Sequence, residues 1–157
     1  MRKIIDRILK FFGLRKNQRQ LLFVCTGNTC RSPMAEIIFN HMYRETDWNA
    51  SSAGTNAIDG AAMSSNARLM VIGQTKDLNP YNHRSRCLSR QLIEKADKIV
   101  CLGKNHYNQI IESFPEYYNK IRQLNKHGIS DPYGGDIDTY QECCNEIEDA
   151  IEELELA

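Results

Sequence analysis

The chain has 157 residues, of which 41% are hydrophobic and 25% charged, with 20 Lys and Arg set against 20 Asp and Glu. That length suits one domain able to bury its own core, and the composition carries no signature of disorder. A formal net charge of zero disfavours nucleic-acid binding by the domain as a whole, since it leaves no general excess of base to neutralise phosphates.

The two ends differ in charge. Residues 1–20 hold seven Lys or Arg against Asp6 alone, whereas residues 136–157 hold nine Asp or Glu and no base. In the first segment Ile4, Ile5, Ile8, Leu9, Phe11 and Phe12 fall on one arc of a helix, with Arg2, Lys3, Asp6, Arg7 and Lys10 opposite and Gly13 closing it. Charges recur too often there for a secretory core or a membrane span. Two readings of residues 1–12 stay open: a surface helix that meets a membrane or a partner, or a helix packed on its own domain near the acidic C-terminal segment. Residues 1–19 are thus expected to form a basic amphipathic extension and 20–157 the domain. The expected location is the cytoplasm, peripheral to the membrane if the first reading holds.

From Gln20 onward apolar runs alternate with helical patterns. Strands are predicted at Leu21–Val24, Trp48–Ala53, Lys98–Leu102 and Lys120–Leu124. Helices are predicted at Pro33–Glu45, Ala61–Gly73, Ser89–Lys95, Asn105–Ser113 and Ile137–Leu156. In the last, Ile137, Tyr140, Cys144, Ile147, Ile151 and Leu154 step by three and four, which predicts a core-facing stripe with the acids outside. Strands separated by helices imply right-handed βαβ units. The expected fold is α/β: a single three-layer domain whose four-stranded parallel sheet carries helices on both faces, in a flavodoxin-like strand order.

The six cysteines lie partly inside apolar strand and helix patterns, and no signal peptide is recognisable ahead of them, so a reducing cytoplasm fits better than a secreted disulfide framework. There is no C-x-x-C, and His41, His83, His106 and His127 are scattered, which makes zinc improbable. Neither a metal nor another cofactor is expected. Cys143 and Cys144 point in different directions from one helix and are expected to be structural.

The segment VCTGNTCRSP, Val24 to Pro33, carries the chemistry. In a parallel sheet, ligands bind beyond the carboxyl ends of strands where a loop leads into a helix N-terminus, and this loop occupies that place. Gly27 and Asn28 tolerate the left-handed conformations that turn successive N–H groups inward, so Thr26, Gly27, Asn28, Thr29, Cys30 and Arg31 are predicted to form an anion nest, reinforced by the helix dipole. It is not a nucleotide P-loop, having neither that glycine spacing nor a lysine. Cys25, facing those N–H groups, is expected to have a lowered pKa and to serve as a nucleophile. Arg31 can clamp two phosphoryl oxygens in its planar fork. Ser32 can hydrogen-bond the thiolate and improve it as a leaving group. The bare C-x5-R spacing also arises by chance around a buried strand thiol, and the strand before, helix after and Gly-Asn within argue against that.

With VCTGNTCRSPMAE, and with DPYGG at Asp131–Gly135 just before the last helix, the chain resembles the low-molecular-weight protein-tyrosine phosphatase family from about Leu21 to Leu156. The resemblance implies a metal-free two-step reaction on a phosphorylated protein. Cys25 attacks phosphorus while Asp131 protonates the leaving group; Asp131 then activates the water that hydrolyses the cysteinyl phosphate. SSAGT and NHRSRCLS also look like family segments, which would place Ser52 and His83 with Asn28 in the network holding the phosphate loop. Cys30 would be the partner of Cys25 in a protective, reversible disulfide. Tyr133, beside Asp131, would stack on a phosphotyrosine ring.

Thr29 departs from the branched aliphatic residue common in tyrosine-selective members and is similar to that of protein-arginine phosphatases, as is DPYGG. Phosphotyrosine is placed first by its frequency in the family, with phosphoarginine as the alternative. Arsenate reductase, which needs a relay of further cysteines where Cys87 and Cys101 do not obviously fall, is a minor rival. So is a non-catalytic phosphoprotein-binding module, which would normally lack Cys25 or Asp131.

Overall fold

The protein is described from a computed structural model, which covers residues 4–5, 18–74 and 79–156. The predicted N-terminal helix over 1–12 lies outside the described residues except for Ile4 and Ile5, which are helical and exposed.

Four strands, β1 (Arg19–Cys25), β2 (Trp48–Gly54), β3 (Lys98–Cys101) and β4 (Ile121–Gln123), pair in parallel in the order β2-β1-β3-β4. Among the described residues, the helices α1 (Arg31–Met42), α2 (Ser65–Val71), α3 (Arg90–Lys95), α4 (Lys104–Ser113) and α5 (Ile137–Glu152) connect and cover them. This is the flavodoxin-like order expected for an α/β domain. Each predicted strand and each predicted helix of the domain is present, with shifted ends. Ser64 caps α2 through Ala67 N, so that helix starts later than Ala61, and Ala62 instead bridges to Arg84.

The pleat of β1 divides the core. Leu21, Phe23 and Cys25 face α1, α2 and α5, where Met34, Phe39, Val71, Tyr140 and Ile147 pack around them. Leu22 and Val24 face the other layer with Ile93, Ile99, Cys101 and Ile110. Such fully buried aliphatic side chains each contribute on the order of 1.5–3 kcal/mol. The α5 stripe is core at Tyr140, Cys144, Ile147 and Ile151, but Ile137, the first residue of the helix, is 49% exposed. Cys143 is as fully buried as Cys144. Cys25 therefore ends the central strand β1, flanked on both sides by neighbours whose loops also rise at that end.

Candidate active site

The loop from Cys25 to Arg31 is held from outside by its carbonyls. Cys25 O accepts from Thr55 N (2.9 Å), Thr26 O from Asn56 N (3.0 Å), Thr29 O from Ser64 N (2.9 Å) and Cys30 O from Met34 N (3.2 Å). Asn28 O accepts from His83 Nε2 at 2.8 Å, which requires that this nitrogen carry the proton. In a trans peptide C=O and N–H point opposite ways, so the N–H groups of Thr26, Gly27, Thr29, Cys30 and Arg31 turn away from these partners and toward the loop's centre. The result is a concave set of donors suited to a tetrahedral anion.

Asn28, with φ 54°, is the hub. Its Nδ2 donates to Ser32 Oγ (2.8 Å) and to Ser52 Oγ (2.9 Å), and its Oδ1 accepts from Arg86 N at 3.0 Å. Asparagine tolerates the left-handed region, and a fully satisfied side chain makes that backbone state the stable one. Ser52 Oγ donates to Glu36 Oε2 (2.5 Å), and Arg86 Nε donates to Ser52 O (2.9 Å). The donors thus run in one direction: because Ser32 Oγ accepts from Asn28, its own proton is free for Cys25 Sγ at 2.8 Å. Gly54, paired with Cys25 across β1 and β2, lies directly beneath, since a Cβ there would stand 2.3 Å from Thr26 O.

Arg31 is 7% exposed and joins this loop to the loop before α5. Its Nη1 donates to Ile129 O at 3.2 Å and its Nη2 meets Asp131 Oδ2 at 3.2 Å, with the Asp131 side chain 55% exposed. Asp131 Oδ1 also accepts from Tyr133 N at 3.2 Å, and Tyr133 itself is 80% exposed.

Cys25 corrects one expectation. The hydrogen bonds from Ser32, the amides of Ser32 and Asn28 and the charge of Arg31 all favour its thiolate, yet burial outweighs them and pushes the thiol up. The sequence displayed the donors but not the depth of the sulfur. Glu36 is likewise pushed up, by burial, against Ser52, His83 and Arg86, which pull it down.

Cys30 Sγ lies 3.3 Å from Tyr140 OH, 3.4 Å from Ser64 Oγ and 3.7 Å from Thr29 Oγ1. Glu36, Arg86, His106, Ser64 and Tyr140 were not singled out from the sequence. Glu36 alone had a local signal, since it follows Ser32 by four residues on α1 and shares its face. The others meet the loop across long sequence separations. His106 is fully buried with Nε2 2.8 Å from Thr26 Oγ1. Among the described residues no three His, Cys, Asp or Glu side chains form a group that could hold a metal ion, and no helix is long and apolar enough to cross a membrane.

A buried thiol in a ring of inward amides, with an arginine fork and a carboxylate beside it, is an arrangement for moving a phosphoryl-like group. The comparisons agree with that geometry. A protein-arginine-phosphatase of Bacillus subtilis is 34% identical over 142 residues, covering 85% of this chain and 93% of that protein. The crystal structure of a low-molecular-weight protein tyrosine phosphatase from T. tengcongensis superposes with a TM-score of 0.80 at 33% identity, covering 85% of this chain and 95% of that one. An arsenate reductase of Bacillus cereus is 30% identical, covering 84% and 90%. The family described as low molecular weight phosphotyrosine protein phosphatase matches residues 20–157, loop, sheet and acid segment together, and it is to this family that the chain belongs.

Proposed function

We propose that this chain is a phosphoprotein phosphatase working through a cysteinyl-phosphate intermediate, with phosphoarginine favoured over phosphotyrosine as substrate. The reaction is supported above all by the convergence of Arg31 on Asp131 beside a loop whose Ser32 hydroxyl is directed at Cys25. The reactive arrangement has the thiolate at Cys25 and the proton on Asp131. As the phosphoryl oxygens take over the Arg31 fork, Asp131 is released toward the leaving group. Cys25 Sγ then bonds to phosphorus as the P–N or P–O bond breaks, and the Asp131 proton passes to the departing nitrogen or oxygen. In the second step Asp131 removes a proton from water, the new P–O bond forms, and the S–P bond breaks to return the thiolate, stabilised by the Ser32 hydroxyl.

For the substrate, the polar Thr29 hydroxyl within the loop, the Gly134–Gly135 pair after Tyr133 and the named activity of the Bacillus subtilis relative favour a guanidinium leaving group. Phosphotyrosine is the second reading because Tyr133, 80% exposed beside Asp131, offers an aromatic face. The arsenate reductase reading is less supported: Cys87 is exposed, and Cys101 is fully buried in β3 in the core layer opposite the one that Cys25 faces. The test is parallel turnover of phosphoarginine and phosphotyrosine peptides by the purified protein. A higher kcat/KM on phosphoarginine is expected; a clear preference for phosphotyrosine reverses the substrate order, and turnover of neither removes the phosphatase reading.

A further inference from the structure

His106 takes no step in the reaction above, yet its surroundings are specific. It lies on the first turn of α4, fully buried, with Nε2 2.8 Å from the hydroxyl of Thr26, the residue that follows Cys25. Its Nδ1 is buried and has no hydrogen-bond partner. An orphaned lone pair is more tolerable than an orphaned N–H, so this asymmetry selects the tautomer with the proton on Nε2. His106 then donates to Thr26 Oγ1. Gly103 makes room for the ring, since a Cβ there would stand 3.3 Å from Nδ1 and 3.4 Å from Cε1. Burial and the charge of Arg31 push the imidazole down to about 4, against the opposing pull of Asp131, which keeps it a neutral ring of fixed role.

Thr26 is the residue at which the chain leaves β1 and turns into the nest. Its carbonyl is tied to Asn56 N (3.0 Å) on one side and its hydroxyl to α4 on the other. The far half of the loop hangs on Asn28, Ser52, His83 and Arg86; the near half is braced from the opposite layer by this imidazole.

We infer that His106 is a positioning residue of the phosphate loop, pinning the Thr26 hydroxyl through Nε2–H so that the amides around Thr26 stay aimed at the phosphoryl group. The inference rests on the phosphatase reading and deepens it.

The test is inorganic phosphate affinity of the full chain, measured by titration calorimetry, which does not depend on turnover. Wild type should bind phosphate and Arg31→Ala should lose it; absence of phosphate binding by wild type, or no change in Arg31→Ala, defeats the phosphatase reading and this inference with it. Given those results, His106→Phe and Thr26→Val should each weaken phosphate by about tenfold, and the double variant no further, because the two share one hydrogen bond. His106→Gln, which keeps an N–H near the position of Nε2, should restore affinity to within about threefold of wild type. A role confined to stability would lower the melting temperature of His106→Phe and leave phosphate affinity unchanged, and that result overturns the inference while leaving the phosphatase reading intact. Additive losses in the double variant overturn it as well. Should His106→Phe fail to fold, Thr26→Val decides: phosphate affinity equal to wild type overturns the pin, and a loss that Thr26→Ser restores supports it.

Discussion

Between Cys25 and Ser32 the polar groups are held by many partners: Asn28 reaches the buried Ser32 and Ser52 and the backbone of Arg86, and His83 and Asn56 hold the carbonyls. Between Asp131 and Gly135 the contacts are fewer, although Ser130 just before is tied to Glu146. Asp131 is 55% exposed, makes one ion pair to Arg31, and otherwise supports its own turn through Tyr133 N. Both loops converge on one guanidinium, the first through a dense hydrogen-bond network and the second through a half-exposed carboxylate. A phosphoryl group must meet donors already in place, because reorganising them would cost at the barrier what binding gains. In the proposed reaction, an acid that serves two successive steps must instead leave Arg31 for the reacting atoms. The difference teaches that rigidity here follows function within a single site.

The sharpest break in this comparison is Asp131→Asn. We expect kcat/KM on a phosphoarginine or phosphotyrosine peptide to fall by about 10²- to 10⁴-fold, with a much smaller loss on activated aryl phosphates that leave without a proton. Unfolding free energy should change by less than about 0.5 kcal/mol, since a half-exposed ion pair contributes little. Equal losses on all substrates would reduce Asp131 to a turn residue. On the rigid side, Asn28→Ala removes three side-chain hydrogen bonds and leaves the buried Ser32 and Ser52 hydroxyls short of a donor. Urea denaturation should show a loss of roughly 2–3 kcal/mol. A loss below about 0.5 kcal/mol would mean that the loop does not depend on its hub.

A pH series sharpens the same contrast. His106 titrates near 4 in the folded protein against 6.5 for a free histidine, so between those values the unfolded chain holds the extra proton. Stability should therefore fall as pH is lowered from 6.5 to 4, by at most about 1.4 kcal/mol per unit from this one group. His106→Gln should flatten that part of the curve, and an unchanged slope would contradict the buried, neutral imidazole. The smallest expected effect is at Thr29. Thr29→Ile should raise the ratio of kcat/KM for phosphotyrosine over phosphoarginine by about tenfold, or 1.4 kcal/mol of differential transition-state binding. An unmoved ratio would make Thr29 a bystander.

Much of the site was legible because its donors are contiguous. From Cys25 to Ser32 one strand end, one Gly-Asn pair and one helix start specify the nest, and each leaves a local mark in the sequence. Strands and helices were legible for the same reason, as periodicity is local; their ends were not, since caps such as Ser64 and bridges such as Ala62 to Arg84 depend on distant chain. His106 and Arg86 reach the loop from 80 and 58 residues away, and no spacing rule connects them to it. The raised thiol at Cys25 was hidden for a further reason: charge and hydrogen bonds can be anticipated from residue types, whereas burial exists only after packing. The exposed Ile137 shows the complementary error, a periodic stripe whose first residue finds nothing to cover it.

Catching the covalent intermediate tests the reaction most directly. Asp131→Asn, slowed in its second step, should be mixed with an activated aryl phosphate, which leaves without a proton, quenched within one turnover, and the phosphate located by mass mapping under conditions that preserve thiophosphate esters. Phosphate on Cys25, and its absence from Cys25→Ala, is the expected result. Phosphate on another residue of the unsubstituted loop, or continued turnover by Cys25→Ala, would contradict it.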